Sequence, residues 1–271
     1  MAIAALERLL LTLVLLAAAV GRHAASGDGS FYGAKCTQAS TWSPANNTKF
    51  RANVLALLGR LPSAAAPSGF ASLRSGSAAF ARGICFGDQP PTQSCLDCLS
   101  AVAKKLTDED GCDASQRGAA WSDGCFVHFA DTNATSPYEE TSRYRIQVVQ
   151  TGAAAASSKN SAAFDATLVA LAERLAPRAA NASRLLLATS TTEGVPLASG
   201  GGSGTTTVRA MAQCMRDRSP ADCARCVQRS ARELGKCCWD VTGGVTAYVL
   251  GYNGHLRLDM EVFQSRLIGL K

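Results

Sequence analysis

Eleven cysteines behind a short apolar opening limit what this chain can fold into, because its route through the cell decides whether those thiols become bonds. They stand at Cys36, Cys85, Cys95, Cys98, Cys112, Cys125, Cys214, Cys223, Cys226, Cys237 and Cys238. The opening places Arg8 before the apolar run Leu9 to Val20, which gives way to small and polar residues from Gly21. That is the three-part form of a secretory signal, and the run is well short of the roughly twenty residues a membrane span needs. A signal peptide over residues 1–25 is expected, with a secreted, extracellular product whose cysteines are oxidised. The sequons at Asn46, Asn133 and Asn181 are the expected glycosylation acceptors on that route. Later apolar runs, around Leu185 to Ala188 and Ala247 to Leu250, are strand-sized, so no membrane span is expected in the mature chain.

The cysteines lie in a repeat. The spacing Cys85, Cys95, Cys98 returns as Cys214, Cys223, Cys226, one residue shorter in its first gap. Upstream, Lys49 to Leu61 overlays Ala163 to Leu175, so that Phe50, Val54, Leu57 and Leu61 answer to Phe164, Leu168, Leu171 and Leu175. Intervals of four, three and four residues mark a helix with one buried face. The helices are offset by 114 residues (164 minus 50) and the cysteines by 128 (223 minus 95), so the second copy carries an insertion. Thr189 to Thr207, rich in Ser, Thr and Gly, is expected to be that insertion, as a flexible loop. No P-loop lysine follows its glycines.

A second helix is expected at each Cys-x-x-Cys, capped by Ser94 with Leu99, Val102 and Leu106 inside, and started by Ser219-Pro220 with Val227 and Leu234 inside. Strand-like stretches precede the first helices, Phe31 to Thr37 and Arg143 to Val149. Others follow the second ones: Phe126 to Phe129, Val245 to Leu250 and His255 to Val262. The fold class is α+β, two helices against an antiparallel sheet, twice. Its boundaries are a first module over 26–137 and a divergent second over 138–271, with the junction at Asn133 to Thr141.

Net charge is +6 for the whole chain, with the positive residues scattered and no aromatic residues interleaved, which argues against a nucleic-acid partner. The paired Cys-x-x-Cys spacing could hold zinc or a redox centre, but an oxidising compartment makes structural disulfides the expectation, with no metal and no cofactor. Beyond the signal the histidines are His128 and His255, at non-equivalent places and in no nucleophile motif, so each is expected to be a strand residue with a satisfied ring. The run Asp108 to Asp110 reads as solvated, and an enzyme is not expected. Cysteine count alone leaves the pairing open.

The Cys-x8-Cys-x2-Cys of copy two, nearly repeated with nine residues in the first gap of copy one, behind an amphipathic helix and with Gln213-Cys214 and Cys237-Cys238 in context, resembles the ginkbilobin-like antifungal module of plant cysteine-rich repeat secretory proteins. The same tandem modules form the outer parts of cysteine-rich receptor-like kinases and plasmodesmata-located proteins. The resemblance implies sheets of about five strands per module. In copy one it implies the pairs Cys36 with Cys112, Cys85 with Cys95 and Cys98 with Cys125. In copy two Gln150 and Gly254 fall where the first and sixth cysteines would stand. Cys214 with Cys223 remains, and Cys226 is left to find Cys237 or Cys238. An odd total leaves at least one thiol free or bonded to another chain, so a covalent dimer is one outcome.

The family's mannose site uses an Asn directly after the first cysteine, an Arg shortly before the sixth and a Glu five residues after it. Here those places hold Thr37, Ala119 and Ala130, with Arg117 and Asp131 nearby as a displaced candidate ligand site. In copy two only Asp259 keeps an acid. The leading expectation is an apoplastic binding protein of the stress and defence type, recognising mannose-type cell-wall or fungal glycans. The alternative is a protein-interaction partner of receptor-like kinase ectodomains or plasmodesmata-located proteins, and a thiol-based enzyme stands third.

A loop as long as Cys36 to Cys112 is worth on the order of 4 kcal/mol when closed. Excess reductant should therefore lower the thermal midpoint sharply, and an unchanged melting curve would remove the staples from the account.

Overall fold

The computed structural model describes residues 31–38, 44–76, 79–87, 92–109, 112, 115–149, 162–182, 187–196, 205–234 and 245–263. The expected signal peptide, Cys237 and Cys238 lie outside the described residues. In the first half β1 (Phe31–Gln38), α1 (Pro44–Ala65), β2 (Phe70–Ser75) and β3 (Ala79–Cys85) lead to α2 (Thr92–Lys104). A π-helical turn (Lys105–Glu109), β4 (Ser115–Ser122) and β5 (Cys125–Ala130) complete it. A short helix α3 (Pro137–Thr141) leads to β6 (Arg143–Val149), α4 (Ala162–Asn181), β7 (Leu187–Pro196) and β8 (Thr205–Cys214). Then come α5 (Pro220–Leu234), β9 (Val245–Gly251) and β10 (Gly254–Phe263).

Both halves build the same antiparallel sheet, with strand orders β1-β4-β5-β3-β2 and β6-β9-β10-β8-β7. The helices cover one face of each. Phe50, Val54, Leu57 and Leu61 of α1 are all buried beside Leu99, Val102 and Leu106. Leu171 and Leu175 of α4 meet Val227 of α5 in the second core. The side chains of Phe164, Leu168 and Leu234 lie outside the described residues.

Strand alternation assigns the other face. On β5, Cys125, Val127 and Phe129 point to the helices. Phe126 points the opposite way, with Ala119 and Trp121 of β4 and Ile84 of β3. On β9, Ala247 and Val249 face α4 and α5. Tyr248 and Leu250 join the cluster of Trp121 and Phe126. The two sheets therefore pack face to face, with helices on the outside: a four-layer arrangement with three cores. This is why β5 is buried at every position and reads as an apolar run broken only by His128 rather than an alternating one.

Polar ties close the seam. Arg82 is buried on β3, and its Nη2 donates to the Tyr252 carbonyl at 3.3 Å and to Asn253 Oδ1 at 3.2 Å. Gly87 N–H donates to Gln213 Oε1 at 2.9 Å, while Gln213 Nε2 donates back to the Gly87 carbonyl at 3.2 Å. Trp121 Nε1 donates to the Gly251 carbonyl at 3.4 Å, and Tyr144 donates to the Ala34 carbonyl at 2.9 Å.

Several expectations need correction. Thr189 to Thr207 is not one loop: its ends belong to β7 and β8, paired to each other, and residues 197–204 lie outside the described residues. The run of threonines suits a strand as well as a loop, because β-branching favours extended backbone. Ser94 does not cap α2, which already begins at Thr92. Ser219 does cap α5, its Oγ accepting from Asp222 N–H at 3.2 Å. The cross-strand partner of Cys36 is Gly118 and that of Gln147 is Ala247, at matching places in the two sheets. Gln147, rather than Gln150, thus occupies the place of the first cysteine, and the inserted length falls between β6 and α4 as well as after α4.

Gly254 pairs with Cys214 as Cys125 pairs with Cys85, so it does stand at the sixth-cysteine place. A Cβ there would lie 2.7 Å from the Gln213 carbonyl oxygen. Copy one carries the disulfides Cys36–Cys112, Cys85–Cys95 and Cys98–Cys125, with Cα separations of 5.2, 5.6 and 6.1 Å. Copy two carries Cys214–Cys223 at 5.5 Å. Cys226, the counterpart of Cys98, is a buried free thiol. No helix among the described residues is long and apolar enough to cross a membrane.

With the sheets welded, the halves should unfold together. Trp121→Ala, which empties the seam, should cost about 3–5 kcal/mol in urea unfolding while the wild type melts in one transition; two well-separated wild-type transitions would contradict the weld.

Candidate functional site

The junction between the halves is where charged groups converge. Ser136 caps α3 in a capping box: Glu139 N–H donates to Ser136 Oγ at 3.2 Å, and Ser136 N–H donates to Glu139 Oε2 at 2.8 Å. The box turns the Glu139 carboxylate inward, where only 1% of the side chain is exposed. There it meets Arg117 of β4 at 2.9 Å and His128 of β5 at 2.8 Å.

Arg117 and Asp131, the displaced candidate site, are brought together at 3.1 Å. Arg117 lies in the cross-strand row Thr37, Arg117, Ala130, whereas Ala119 is turned into the seam. Its guanidinium is spoken for: besides Asp131 and Glu139 it donates to the Ala134 carbonyl at 3.0 Å. A sugar hydroxyl arriving here would have to displace an internal ion pair, and desolvated donors must be paired again. Both side chains are partly buried, Arg117 14% and Asp131 28% exposed. Glu139 carried no motif; its only sequence signal was Ser-x-x-Glu at 136–139, the capping-box pattern.

Burial holds the His128 imidazole down at about 4 against the pull of its Glu139 hydrogen bond. Burial alone would raise Glu139, but the His128 hydrogen bond, the Ser136 N–H and Arg117 outweigh it and bring the carboxyl to about 2. His255 corrects the expectation of a satisfied ring: both its nitrogens are buried without hydrogen-bond partners, and its ring packs against Phe86 at 3.8 Å between centroids, tilted by 34°. Burial pushes it to about 3. Phe126 occupies the equivalent place in β5, so His255 serves as a flat neutral ring in the seam.

Beside the junction a polar cavity of about 210 Å³ opens on α5, with Arg143, Arg218, Arg225, Arg229, Glu140 and Asp222 in its wall. Cys226 and Asn253 also line it. Arg229 donates to Glu140 Oε2 at 3.2 Å, Arg225 pairs with Asp222, and Arg218 donates to the Asn133 carbonyl at 3.1 Å. Arg143 Nη2 lies 3.7 Å from Cys226 Sγ. Burial nevertheless raises the Cys226 thiol, outweighing Arg143 and Arg229. A protonated, buried thiol is a poor nucleophile and a poor bridge to another chain. Asn133 and Asn181 are exposed, and Asn46 lies in α1. No group of three or more acids, histidines and cysteines among the described residues is placed to hold a metal ion.

The sequence profile of the salt stress response/antifungal family matches residues 35–132 and 150–254. Cysteine-rich receptor-like protein kinase 27 of Arabidopsis thaliana is 24% identical over 200 residues, which cover 73% of this chain and 28% of that protein. The chain thus spans little more than a quarter of that relative. Two solved structures share the fold, both tandem DUF26 ectodomains of cysteine-rich receptor-like proteins from Arabidopsis thaliana. For PDLP8 the TM-score is 0.54 at 19% identity, covering 84% of this chain and 97% of that one. For PDLP5 it is 0.53 at 15% identity, covering 86% and 100%.

An unfolded His128 takes up a proton near its ordinary 6.5 while the folded one waits until about 4; Glu139 does the same between 4.5 and about 2. Unfolding is then proton-consuming throughout, and stability falls as pH drops. His255, held at about 3, adds to the same decline, so the thermal midpoint should fall from pH 6.5 downward and faster below 4.5, with His128→Gln making the upper arm shallower without abolishing it; a midpoint constant from pH 7 to 4 would refute this.

Proposed function

The chain belongs to the salt stress response/antifungal family, in both of its halves, and from that membership we propose that it is a secreted recognition module that engages a protein partner outside the cell. The observation that carries this reading is the weld. Trp121, Arg82 and Gln213 hold the two modules at one mutual orientation, so a surface built from both is already ordered before a partner arrives. Association then spares the ordering cost that a hinged pair would meet. The partner class is another tandem ectodomain of the same kind, such as those of cysteine-rich receptor-like proteins, engaged in the apoplast as part of a stress or defence response.

The mannose-type glycan reading draws its support from the family resemblance alone. At the displaced site, Arg117 and Asp131 neutralise each other, and Arg117 also serves Glu139. Replacing Arg117 should therefore cost stability before it costs any ligand. Catalysis by a thiol finds no help in the raised Cys226.

The test is biolayer interferometry of the secreted, glycosylated chain against immobilised ectodomains of cysteine-rich receptor-like protein kinase 27, PDLP5 and PDLP8, with a mannose-rich glycan and fungal-wall array in parallel. Saturable binding to at least one ectodomain, unaffected by free mannose, is expected. Binding to the glycans with none to any ectodomain would overturn the reading.

A further inference from the structure

The cavity on α5 exists where the second module has lost a staple. In the first module Cys98 of α2 is bonded to Cys125 of β5. In the second, Cys226 stands in α5 with Gly254 at the partner place, and the unbonded thiol becomes part of the cavity wall. What fills the neighbourhood is arginine. Four guanidinium groups and two carboxylates line the space, with no aromatic side chain among the described lining residues.

The donors are not exhausted. Each guanidinium offers five N–H groups in a planar fork. Arg229 spends only Nη1, on the Glu140 carbonyl and carboxylate. Arg225 spends only Nη2, on Asp222. Arg218 Nε is buried without a hydrogen-bond partner, Asp217 standing 3.6 Å away. Asp217 is itself shared with the buried Arg82 at 3.5 Å, so it cannot neutralise Arg218 alone. The wall therefore holds an excess of cation, four guanidinium groups against two carboxylates, around a cavity of about 210 Å³.

We propose that this cavity is a docking site for an acidic peptide segment of a protein partner, its carboxylates received by Arg218, Arg225 and Arg229. The proposal rests on the reading of the chain as a protein-recognition module. Planar forks suit carboxylates bidentately. A saccharide site would be expected to offer an aromatic platform and neutral hydrogen-bonding groups, and this wall offers chiefly charge. An excess of one charge sign lining a cleft concentrates the field and raises encounter rates with an acidic ligand.

The experiment uses the full secreted chain and fluorescence polarisation of labelled hexaglutamate, with hexalysine and hexagalacturonate as parallel probes. Hexaglutamate should bind, more weakly as salt rises because the outer charges are screened. Arg225→Ala/Arg229→Ala should weaken it at least tenfold, while Arg232→Ala, on the same helix but outside the cavity and 68% exposed, should leave it within twofold. Should the double variant fail to fold, Arg225→Glu, at a half-exposed position, carries the same expectation. Absent hexaglutamate binding, equal loss in Arg232→Ala, or tighter binding of hexagalacturonate would each overturn the proposal. Ectodomain capture that persists without hexaglutamate binding would defeat the pocket and spare the recognition reading; hexaglutamate binding without any ectodomain capture would do the reverse.

Discussion

Arg82 is a charge placed where water cannot reach it, and the arrangement of the two modules follows from what it then requires. An unpaired buried guanidinium would cost several kcal/mol. Its acceptors are the Tyr252 carbonyl, Asn253 Oδ1 and Asp217, and all three belong to the other module. Neither half satisfies the seam alone. Trp121 repeats the logic in apolar form: its ring lies between Phe126 of its own sheet, at 5.1 Å, and Tyr144 and Tyr252 of the other, at 4.9 and 5.0 Å. Separating the modules would expose these rings and strand the cation together, so the pair is one body rather than two beads on a linker.

The seam reaches function through the junction. Glu139 sits in the short helix that starts the second module, yet its partners Arg117 and His128 are on strands of the first. Arg117 binds Asp131 and the Ala134 carbonyl as well, so the connecting chain is pinned at both ends. The cavity wall takes Glu140 and Arg143 from that same pinned segment. Its geometry is thus set by the contact between modules, and a ligand in the cavity would touch residues whose positions the seam has already fixed.

The repeat, the helices and the α+β class were legible because they rest on local periodicity: Phe50, Val54, Leu57 and Leu61 mark one helical face whatever surrounds them. The packing of sheet on sheet was not read, although its trace was present. Phe126 to Ala130 is apolar at nearly every position, as expected of a strand covered on both sides, but a short apolar run names no partner. β7 carries no strand signal of its own because threonine and glycine serve either state, and the choice is made by pairing with β8. Arg117 and Asp131 were found as neighbours, but Glu139, which decides what Arg117 does, lies 22 positions away, a separation at which spacing carries no signal. His255 is a related case: sequence cannot tell a ring that hydrogen-bonds from one that merely packs against another ring.

The divergence of the second module has a physical order to it. A glycine at the sixth-cysteine place leaves Cys226 without a partner, and a Cβ at Gly254 would now crowd the Gln213 carbonyl. Gln213 is the residue whose side chain ties the second module to Gly87 of the first. The close approach that excludes a side chain at Gly254 thus involves the same residue that closes the seam. With the first and sixth cysteines replaced by Gln147 and Gly254, two of the three pairs of copy one have no counterpart here, and the second module is instead anchored to a module that kept all three of its own. Once the second module relies on its neighbour, the ground around Cys226 is released from holding a staple. Arginine side chains, too bulky and too charged for a packed core, can line it and remain open to a ligand.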